Sequence, residues 1–189
     1  MCDPRTCRSS APLSCTAKIS KEGKPALPAD VVEGAEGIGL LVGDELHAEF
    51  ETKSGIPVAF HSVKNGAKKD VSFGLDIIGE RGKIDFRIDA EPLAFFTPAD
   101  NSSPRQPITT AGIGKPEPIA NLGKNIASHR VPALDLIEAI QSGREPLCSA
   151  RDGQVVMEMI NAVFESHVAD GKKIALPSKT RGNVLANWK

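Results

Sequence analysis

Residues 133–177 decide the fold, and they read ALDLIEAIQSGREPLCSARDGQVVMEMINAVFESHVADGKKIALP. At the start of this stretch Leu134, Ile137 and Ile140 recur every third residue, and this spacing predicts a helix with one broad apolar face. Gly143 supplies the left-handed conformation that commonly ends a helix, and Pro146 prevents an early restart. The stretch therefore opens with an amphipathic helix that needs an apolar partner.

A second helix and a short strand complete the stretch. Ser149 is a good N-cap, and Asp152, three residues later, supplies the acidic half of a capping box. An apolar stripe at helical spacing follows, formed by Val155, Val156, Met159, Ile160, Val163 and Phe164. Gly171 ends this helix, and the alternation over residues 172–176 predicts a strand.

Alternating apolar and polar residues predict strands in the first half of the chain. The predicted strands are residues 13–20, 45–51, 56–63, 71–77 and 83–89, with 92–98 as a further edge strand. The four strands from 45 to 89 follow one another through short turns, so they can present one apolar face to the helices. We therefore predict an α+β fold: an open, predominantly antiparallel β-sheet with two or three helices packed on one face.

The segments between these elements are predicted to be mostly irregular. Residues 21–43 and 101–118 are rich in Pro and Gly and are predicted to be loops, the second of them too polar to pack. Residues 121–130 are predicted to be helical. Because Pro132 lacks a backbone donor, we expect the chain to kink or break there.

Size and charge restrict the class of protein. A chain of 189 residues suits one domain, which we expect at residues 13–185 after a disordered leader at residues 1–12. There are 23 Lys and Arg against 24 Asp and Glu, so no global field attracts nucleic acid or a membrane surface. The sequence lacks both an apolar run of about 18 residues and a charged-then-apolar leader. We expect a cytoplasmic protein.

The four cysteines do not form a recognisable site. Cys2 and Cys7 lack the spacing of a CxxC pair, and neither Cys15 nor Cys148 completes a zinc site with them. We expect reduced thiols with no role in metal binding or in a disulfide.

The glycine-rich segment from Gly37 to Gly43, GIGLLVG, superficially resembles a dinucleotide-binding fingerprint. Such a loop must leave a buried strand and open a helix, so that the pyrophosphate meets the helix N-terminus. Here a Pro- and Gly-rich loop precedes the segment and a period-two strand follows it. We therefore predict no cofactor site in it.

Charged residues alternate with the apolar ones along the predicted strands. They are Glu45, His47, Glu49, Glu51, His61, Asp76, Lys83, Asp85, Arg87 and Asp89. One hypothesis is a carboxylate–histidine metal site made from His47, Glu49, His61 and Asp76. Because no spacing fixes three ligands onto one point, we prefer a solvated sheet face with cross-strand charge pairs and predict no metal site.

The polar residues of the helices have simple interpretations. Asp135, Glu138 and Glu158 could be paired carboxylates, but general acid–base work needs a cleft and a perturbed pKa, so we interpret them as exposed helix charges. His167, near a helix C-terminus, suits the helix dipole and needs no further role.

Three segments resemble one protein family in register. The stretch DLIEAIQSGREPLCSARDGQVVMEMINAVFESHVADGKKIALP at 135–177 closely resembles the C-terminal end of the glucose–fructose oxidoreductase / inositol dehydrogenase / MocA (Gfo/Idh/MocA) family. GDELHAEFETKSGIPVAFHS at 43–62 and FGLDIIGERGKIDFRID at 73–89 match sheet strands of the same domain in order. The resemblance extends over about residues 13–185. It implies the C-terminal domain of such an enzyme, with the N-terminal dinucleotide-binding (Rossmann) domain absent.

The resemblance implies no catalytic residue in this chain. In the family, a glycine fingerprint, the lysine of a Glu-Lys-Pro motif, and an Asp and a His that complete proton transfer all lie upstream of the position of Leu13. Gly114-Lys115-Pro116 imitates the lysine motif far from the family position, so no role passes to Lys115. We expect the isolated chain to be non-catalytic and to bind no cofactor by itself, with NAD or NADP implied for the full-length family enzyme.

The resemblance also suggests where a substrate would lie. In relatives, the segment before the predicted break lines the approach to the active site. His129, with Lys124 and Asn125 beside it, is therefore the predicted substrate-binding set. The alternative is a helix-surface imidazole with no ligand.

The functional prediction is a substrate-binding and oligomerisation domain of an NAD(P)-dependent sugar or cyclitol oxidoreductase. The expected partners are a small polyol or sugar and a second copy of the chain, bound through the open sheet face as a dimer or larger homo-oligomer. Two alternatives stay open: a stand-alone dimerising interaction module, and a half-enzyme acting in trans with a separate Rossmann-domain chain.

Overall fold

A computed structural model of the protein describes residues 11–64, 73–88, 90–100 and 103–189. Within these ranges the chain forms twelve β-strands and three α-helices. They belong to two compact units: Met1–Lys64 with Ala150–Lys189, and Asn65–Ser149. No helix in the described ranges is both long and apolar enough to cross a lipid bilayer. Residues 1–10 of the predicted leader lie outside the described residues, and Pro12 already begins a strand.

The first unit is built on an antiparallel sheet with the strand order β12–β1–β5–β6. Its strands are β1 (Pro12–Lys21), β5 (Glu45–Thr52), β6 (Pro57–Val63) and the short β12 (Ile174–Ala175), while β2 (Lys24–Pro25) pairs with the end of β1. The strands predicted from alternation at residues 13–20, 45–51 and 56–63 therefore form, and Gly55 lies in the left-handed turn between β5 and β6.

One face of this sheet is covered by α3 (Ala150–Val168). The strand register places Ala17 opposite Ala48 and Cys15 opposite Phe50, so the small and apolar residues share that face. The buried residues that meet there are Cys15, Ala17, Ile19, Ala48, Phe50, Ala162, Val163 and Phe164. The second predicted helix thus finds the apolar partner that its sequence requires.

The end of α3 follows the predicted punctuation. Asp170 and Gly171 both have positive φ, and the amide of Gly171 donates to the carbonyl of Ser166 over 2.8 Å. This bond satisfies a carbonyl of the last helical turn. The chain then returns directly to β12 at the edge of β1.

The predicted loop at residues 21–43 is more ordered than its composition suggests. After the 3-10 turn Pro28–Asp30 it forms a small antiparallel pair, β3 (Val31–Glu33) with β4 (Leu40–Val42). The loop prediction was wrong here because Val31 and Val32 pair with Val42 and Leu41 as two short strands. This pairing buries Val42. The glycine-rich segment is followed by β5, the strand that the alternation of residues 45–51 predicts.

The second unit is built on a separate antiparallel sheet with the order β11–β10–β9–β8–β7. Its strands are β7 (Gly74–Gly79), β8 (Gly82–Arg87), β9 (Ala94–Pro98), β10 (Gln106–Thr109) and β11 (Gly112–Ile113). The four strands expected to form one continuous apolar face are therefore divided between two sheets, with β6 in the first and β7 in the second. Residues 71, 72 and 89 of the predicted strands lie outside the described residues.

Two predictions about this sheet were wrong. The segment at 92–98 was expected at an edge, but β9 lies between β8 and β10. The segment at 101–118 was expected to be a loop too polar to pack, yet it contributes the hairpin β10–β11, in which Ile108 lies opposite Ile113. Two short strands satisfy their backbone groups by pairing, and this requires few apolar side chains.

The helices of the second unit are α1 (Leu122–Ala127) and α2 (Arg130–Ser142), which contact each other. The break lies at His129, which has φ 60°, and not at Pro132. Pro132 is the third residue of α2, where a helix has no internal partner for the missing N–H. Gly143 ends α2 in the predicted left-handed conformation, with φ 67°.

The predicted apolar face of α2 is largely solvent-exposed. Ile140 is 73% exposed and Leu134 54% exposed, whereas Ala139 is buried. The α+β class and the antiparallel sheets are as predicted, and α3 covers a sheet as expected. The amphipathic sequence at 130–142 does form a helix, α2, but the apolar stripe of this helix is exposed.

Candidate functional site

The predicted substrate-binding residues lie around the junction between α1 and α2. Lys124 and Asn125 belong to α1, and His129 forms the left-handed residue just before α2. Lys124 and His129 are exposed, and Asn125 is partly buried. In the described part of the chain the three side chains share no hydrogen bond, so the structure brings them to one short segment without joining them.

The backbone of this junction is fixed from outside the helices. The amide of Gly123 donates to Glu91 Oε1 over 3.1 Å. A Cβ on Gly123 would lie 3.0 Å from that oxygen and 3.1 Å from Leu93 Cδ2. The segment that carries Lys124 and Asn125 is therefore seated closely against the chain before β9.

The charged residues of the second sheet pair with one another. Asp76 and Asp85 lie directly opposite each other on β7 and β8, an arrangement that would be repulsive without cations. Asp76 contacts Lys83 Nζ and Arg87 Nη1, each over 2.9 Å, and the pKa of Asp76 is lowered, chiefly by the bond from Arg87. The residues of the sequence hypothesis for a metal site divide between two sheets, with His47 on β5 of the first sheet and Asp76 on β7 of the second.

Arg105 neutralises the second carboxylate of that opposed pair. It forms an ion pair with Asp85, lowers the pKa of that carboxyl, and lies 3.6 Å from the centre of the Phe95 ring. Asp135, within α2, has a similar structural role: it accepts hydrogen bonds from Arg144 and from the amide of Leu147, which both follow the helix. These carboxylates are bound by cations and amides, and the geometry offers no paired acid and base.

The uncovered face of the first sheet carries a compact cluster of Glu45, His47 and His61. His47 and His61 lie directly opposite each other on β5 and β6, and their rings stack with centres 4.1 Å apart. The Nε2 atoms of His47 and His61 lie 3.0 and 3.1 Å from the same oxygen, Glu45 Oε1. The hydrogen bond from His61, followed by that from His47, holds the pKa of Glu45 below its usual value.

The sequence hypothesis had named Glu49 as the carboxylate beside these histidines. Glu49 lies opposite Ala59, one step further along the sheet, whereas Glu45 reaches both rings. The missing signal was the register between β5 and β6, which sets His47 against His61. Once that register is known, the even spacing places Glu45, His47 and His61 on one face.

A shallow depression of about 360 Å³ lies on the same face. It is lined by Thr16, Ala17, Lys18, His47, Ala48, Glu49, Ala59, Phe60 and His61. The strand register places some of these residues on the face opposite to α3, and we call that set the open sheet face: Thr16, Lys18, His47, Glu49, Ala59 and His61. Its charged residues, Lys18 and Glu49, have opposite signs. Glu51, further along β5, is held by Ser14 and Lys173.

A second depression, of about 280 Å³, lies between α3 and the C-terminal segment. Its lining includes Gln154, Asn161 and Arg181. Ser178 and Thr180 also line it, and their hydroxyls donate to Glu165 of α3 over 2.6 and 2.7 Å, which fixes the C-terminal segment against α3.

His167 has a structural role that differs from the predicted one. The amide of Ile19 donates to its Nδ1 over 3.2 Å, and its Nε2 lies 3.2 Å from the carbonyl of Ala26. Nδ1 is thus an acceptor, so the ring is neutral and Nε2 carries the proton. Burial lowers the pKa of His167. The prediction that His167 needs no role beyond the helix dipole was therefore wrong, because its ring joins α3 to Ile19 and Ala26.

Comparisons with known proteins identify the fold. No model of a protein family matches this sequence, and no curated protein sequence matches it. Solved structures do match. An oxidoreductase domain protein from Kribbella flavida has a TM-score of 0.62 at 16% identity, over 89% of this chain and 47% of that one.

Two sugar oxidoreductases share the fold as well. Levoglucosan dehydrogenase, solved with NADH and levoglucosan, has a TM-score of 0.61 at 18% identity, over 88% of this chain and 45% of that one. Aldose-aldose oxidoreductase from Caulobacter crescentus, complexed with glycerol, has a TM-score of 0.55 at 16% identity, over 88% and 42%. The chain thus spans less than half the length of the structures that it matches.

Proposed function

We propose that this chain, whose fold is the one found in Gfo/Idh/MocA-type oxidoreductases, is the substrate-binding and oligomerisation domain of an NAD(P)-dependent sugar or cyclitol oxidoreductase. The observation that carries the proposal is the shared fold over 88% of the chain with levoglucosan dehydrogenase, a structure solved with NADH and a sugar. In a complete enzyme the nicotinamide exchanges a hydride with a substrate carbon. The residues of this domain bind and orient the sugar.

The surface of α2 supports the presence of a further domain. Ile140, Leu134 and Ile137 are 73, 54 and 51% exposed on one helix. An apolar stripe of this kind is stabilised when another surface removes it from water. In the proposal, a dinucleotide-binding domain covers α2, either in the same polypeptide or as a separate chain acting in trans.

Capture from the native cells tests this part of the proposal. If the covering domain is a separate chain, the tagged full chain should recover a dinucleotide-binding polypeptide, and Ile140→Glu should abolish the recovery because it places a charge in the apolar contact. The matched control is Leu27→Glu, since Leu27 is also exposed, at 59%, but lies outside α2. Equal recovery by both variants would contradict the assignment of α2, and a chain that captures only itself would favour the stand-alone dimerising module.

The substrate contacts are proposed at Lys124, Asn125 and His129. An ammonium, an amide and an imidazole can each donate to sugar hydroxyls. In the enzyme that contains this domain, His129→Ala should raise the KM for the sugar about two- to tenfold, since one hydrogen bond contributes about 0.5–1.5 kcal/mol. The KM for the nicotinamide cofactor should not change.

A lysine elsewhere in the same unit provides the control for this experiment. Lys115 follows the left-handed Gly114 in the turn after β11. Lys124→Ala should raise the KM for the sugar and Lys115→Ala should leave it unchanged. If His129→Ala, Lys124→Ala and Lys115→Ala all had the same KM for the sugar, the α1–α2 junction would not be part of the substrate site.

The open sheet face is the proposed surface of self-association. Its polar composition fits a hydrated interface between two copies of the chain. Sedimentation of the purified chain should give a homo-oligomer that Lys18→Glu weakens. A monomer at every concentration tested would contradict this part of the proposal.

A further inference from the structure

We propose that Glu45, His47 and His61 form a binding site for a zinc-class divalent cation on the open sheet face. The proposal goes beyond the function given above and does not depend on it: the cluster lies on the face proposed for self-association, but its three ligand atoms all come from one chain. The three side chains each present one ligand atom, and these atoms lie within 4.8 Å of one another. They come from two adjacent strands, so the sheet itself fixes their separation.

The distances within the cluster fit coordination. Zinc bonds of about 2.0–2.2 Å to nitrogen and oxygen at about tetrahedral angles place two ligand atoms roughly 3.3 Å apart. The Nε2 atoms of His47 and His61 already lie 3.0 and 3.1 Å from Glu45 Oε1. An ion could therefore replace the two shared protons with little movement of the strands.

One imidazole must turn to complete the site. The two rings are stacked with an angle of 15° between their planes, and both Nε2 atoms lie within hydrogen-bond distance of the same oxygen, Glu45 Oε1. A cation that binds all three ligand atoms needs the nitrogen lone pairs to face the cation and not that oxygen. Both side chains are exposed, His47 at 62% and His61 at 52%, so rotation of one ring about its Cβ–Cγ bond gives up chiefly the stacking contact with the other ring. In the proposal, rotation of one ring turns its Nε2 towards the point between the three ligand atoms.

The donor set selects the class of metal. Two imidazoles and one carboxylate suit zinc and its transition-metal neighbours, whereas calcium and magnesium prefer oxygen ligands only. Three protein ligands leave a fourth position open to water. With both rings neutral, the cluster carries the single negative charge of Glu45. Lys18, whose side chain is exposed, pairs with His47 across β1 and β5 and places a positive charge beside the cluster.

The experiment is a zinc titration of the full native chain after its accessible thiols have been alkylated with iodoacetamide, so that exposed cysteines cannot contribute; Cys15 is completely buried. Competition with a chromophoric chelator should give one zinc ion per chain. His61→Gln and Glu45→Gln should each weaken binding by at least about tenfold, because loss of an outer-shell partner alone typically costs about 10–100-fold. Glu49→Gln and His129→Gln are the matched controls, and they should bind as the wild type does.

Thermal unfolding provides an independent reading on the same proteins. Zinc should raise the melting temperature of the wild type and of Glu49→Gln, but not that of His61→Gln. Because all the substituted side chains are at least partly exposed, the variants should unfold alike without zinc. Absence of zinc binding by the wild type, or binding that both His61→Gln and Glu45→Gln leave unchanged, would overturn the proposal.

Discussion

The hydroxyl of Ser166, in the last turn of α3, accepts a hydrogen bond from the backbone amide of Ala17 over 2.8 Å. The same hydroxyl donates to the carbonyl of Lys172 over 2.7 Å, and Ser166 is completely buried. Ala17 lies in β1 between the residues that pair with β12 and those that pair with β2. The Ser166 side chain of α3 therefore provides a hydrogen-bond partner for the part of β1 that neither β12 nor β2 pairs with.

Ser166→Ala should destabilise the first unit. The substitution leaves the amide of Ala17 buried without a partner, which typically costs about 1–3 kcal/mol. Denaturant unfolding followed by circular dichroism measures the change. Ser142→Ala is the control, since the Ser142 hydroxyl donates to Glu138 on an exposed helix surface. Equal stability of the two variants would show that the bond to Ala17 contributes nothing.

His167 should make stability depend on pH. Its pKa in the folded protein lies below the ordinary value of 6.5, because burial penalises the charged ring. Below pH 6.5 the unfolded chain therefore binds the proton more readily than the folded one, and this favours unfolding. The contribution is present above pH 6.5 and is lost as the pH falls through the lowered pKa.

The measurement for His167 is the free energy of unfolding between pH 7.5 and pH 5. Glutamine also has one acceptor and one donor for Ile19 and Ala26, but it does not titrate. The loss of stability over this range should therefore be smaller in His167→Gln than in the wild type. Nearby Asp170 opposes the shift but does not abolish it. An identical pH dependence in the two proteins would refute this assignment.

Substitutions at Gly43 and Gly55 should distinguish the cost of a steric clash from the cost of a left-handed backbone alone. Both have φ +78°, but a Cβ on Gly43 would lie 2.4 Å from Ile19 Cγ2 and 2.6 Å from the carbonyl oxygen of Ser20, whereas one on Gly55 would meet nothing within 4 Å. Gly55→Ala should cost about 1–2 kcal/mol from the left-handed backbone alone. Gly43→Ala should cost clearly more in the same unfolding experiment. Equal costs would mean that β1 and the turn before β5 are further apart than described.

Cys15 and Cys148 should differ sharply in reactivity. Cys15 is completely buried, and burial raises its pKa to about 11, whereas Cys148 is exposed. Because the thiolate is the reactive form, iodoacetamide at pH 8 should label Cys148 in the native chain and Cys15 only after unfolding. Peptide mapping by mass spectrometry measures both sites. Rapid native labelling of Cys15 would contradict the described packing of α3 on β1.

Much of the fold follows from local patterns. The alternation around Leu46, Ala48 and Phe50 predicts β5, and the stripe ending at Val163 and Phe164 predicts the buried side of α3. These signals are strong because burial imposes a period of two on a strand and of 3.6 on a helix. Gly143 and Gly171 mark helix ends because both adopt the left-handed conformation that glycine tolerates best.

What could not be predicted depends on long-range pairing. Nothing in the alternation of residues 56–63 and 71–77 indicates that the two strands belong to different sheets, because each alone satisfies the same local rule. The hairpin β10–β11 carries few apolar residues, so composition concealed it. The position of Glu45 between two histidines needs the register of β5 and β6, which turn geometry and burial set together.

The exposed stripe of α2 shows a different limit. Spacing alone predicts that Leu134, Ile137 and Ile140 share a face, and it also predicts that this face is buried. The first statement concerns local geometry, whereas the second depends on a partner surface. Within this chain Ile140 stays 73% exposed.

The most direct test of the proposed function is an assay of the native assembly. The chain would be immunoprecipitated from its own cells under non-denaturing conditions, and NAD(P)-dependent oxidation of sugars and cyclitols would be measured on the precipitate. The account predicts activity together with a dinucleotide-binding domain, either joined to this chain or associated with it. A precipitate that contains this chain with no dinucleotide-binding domain and that oxidises none of these substrates would contradict it.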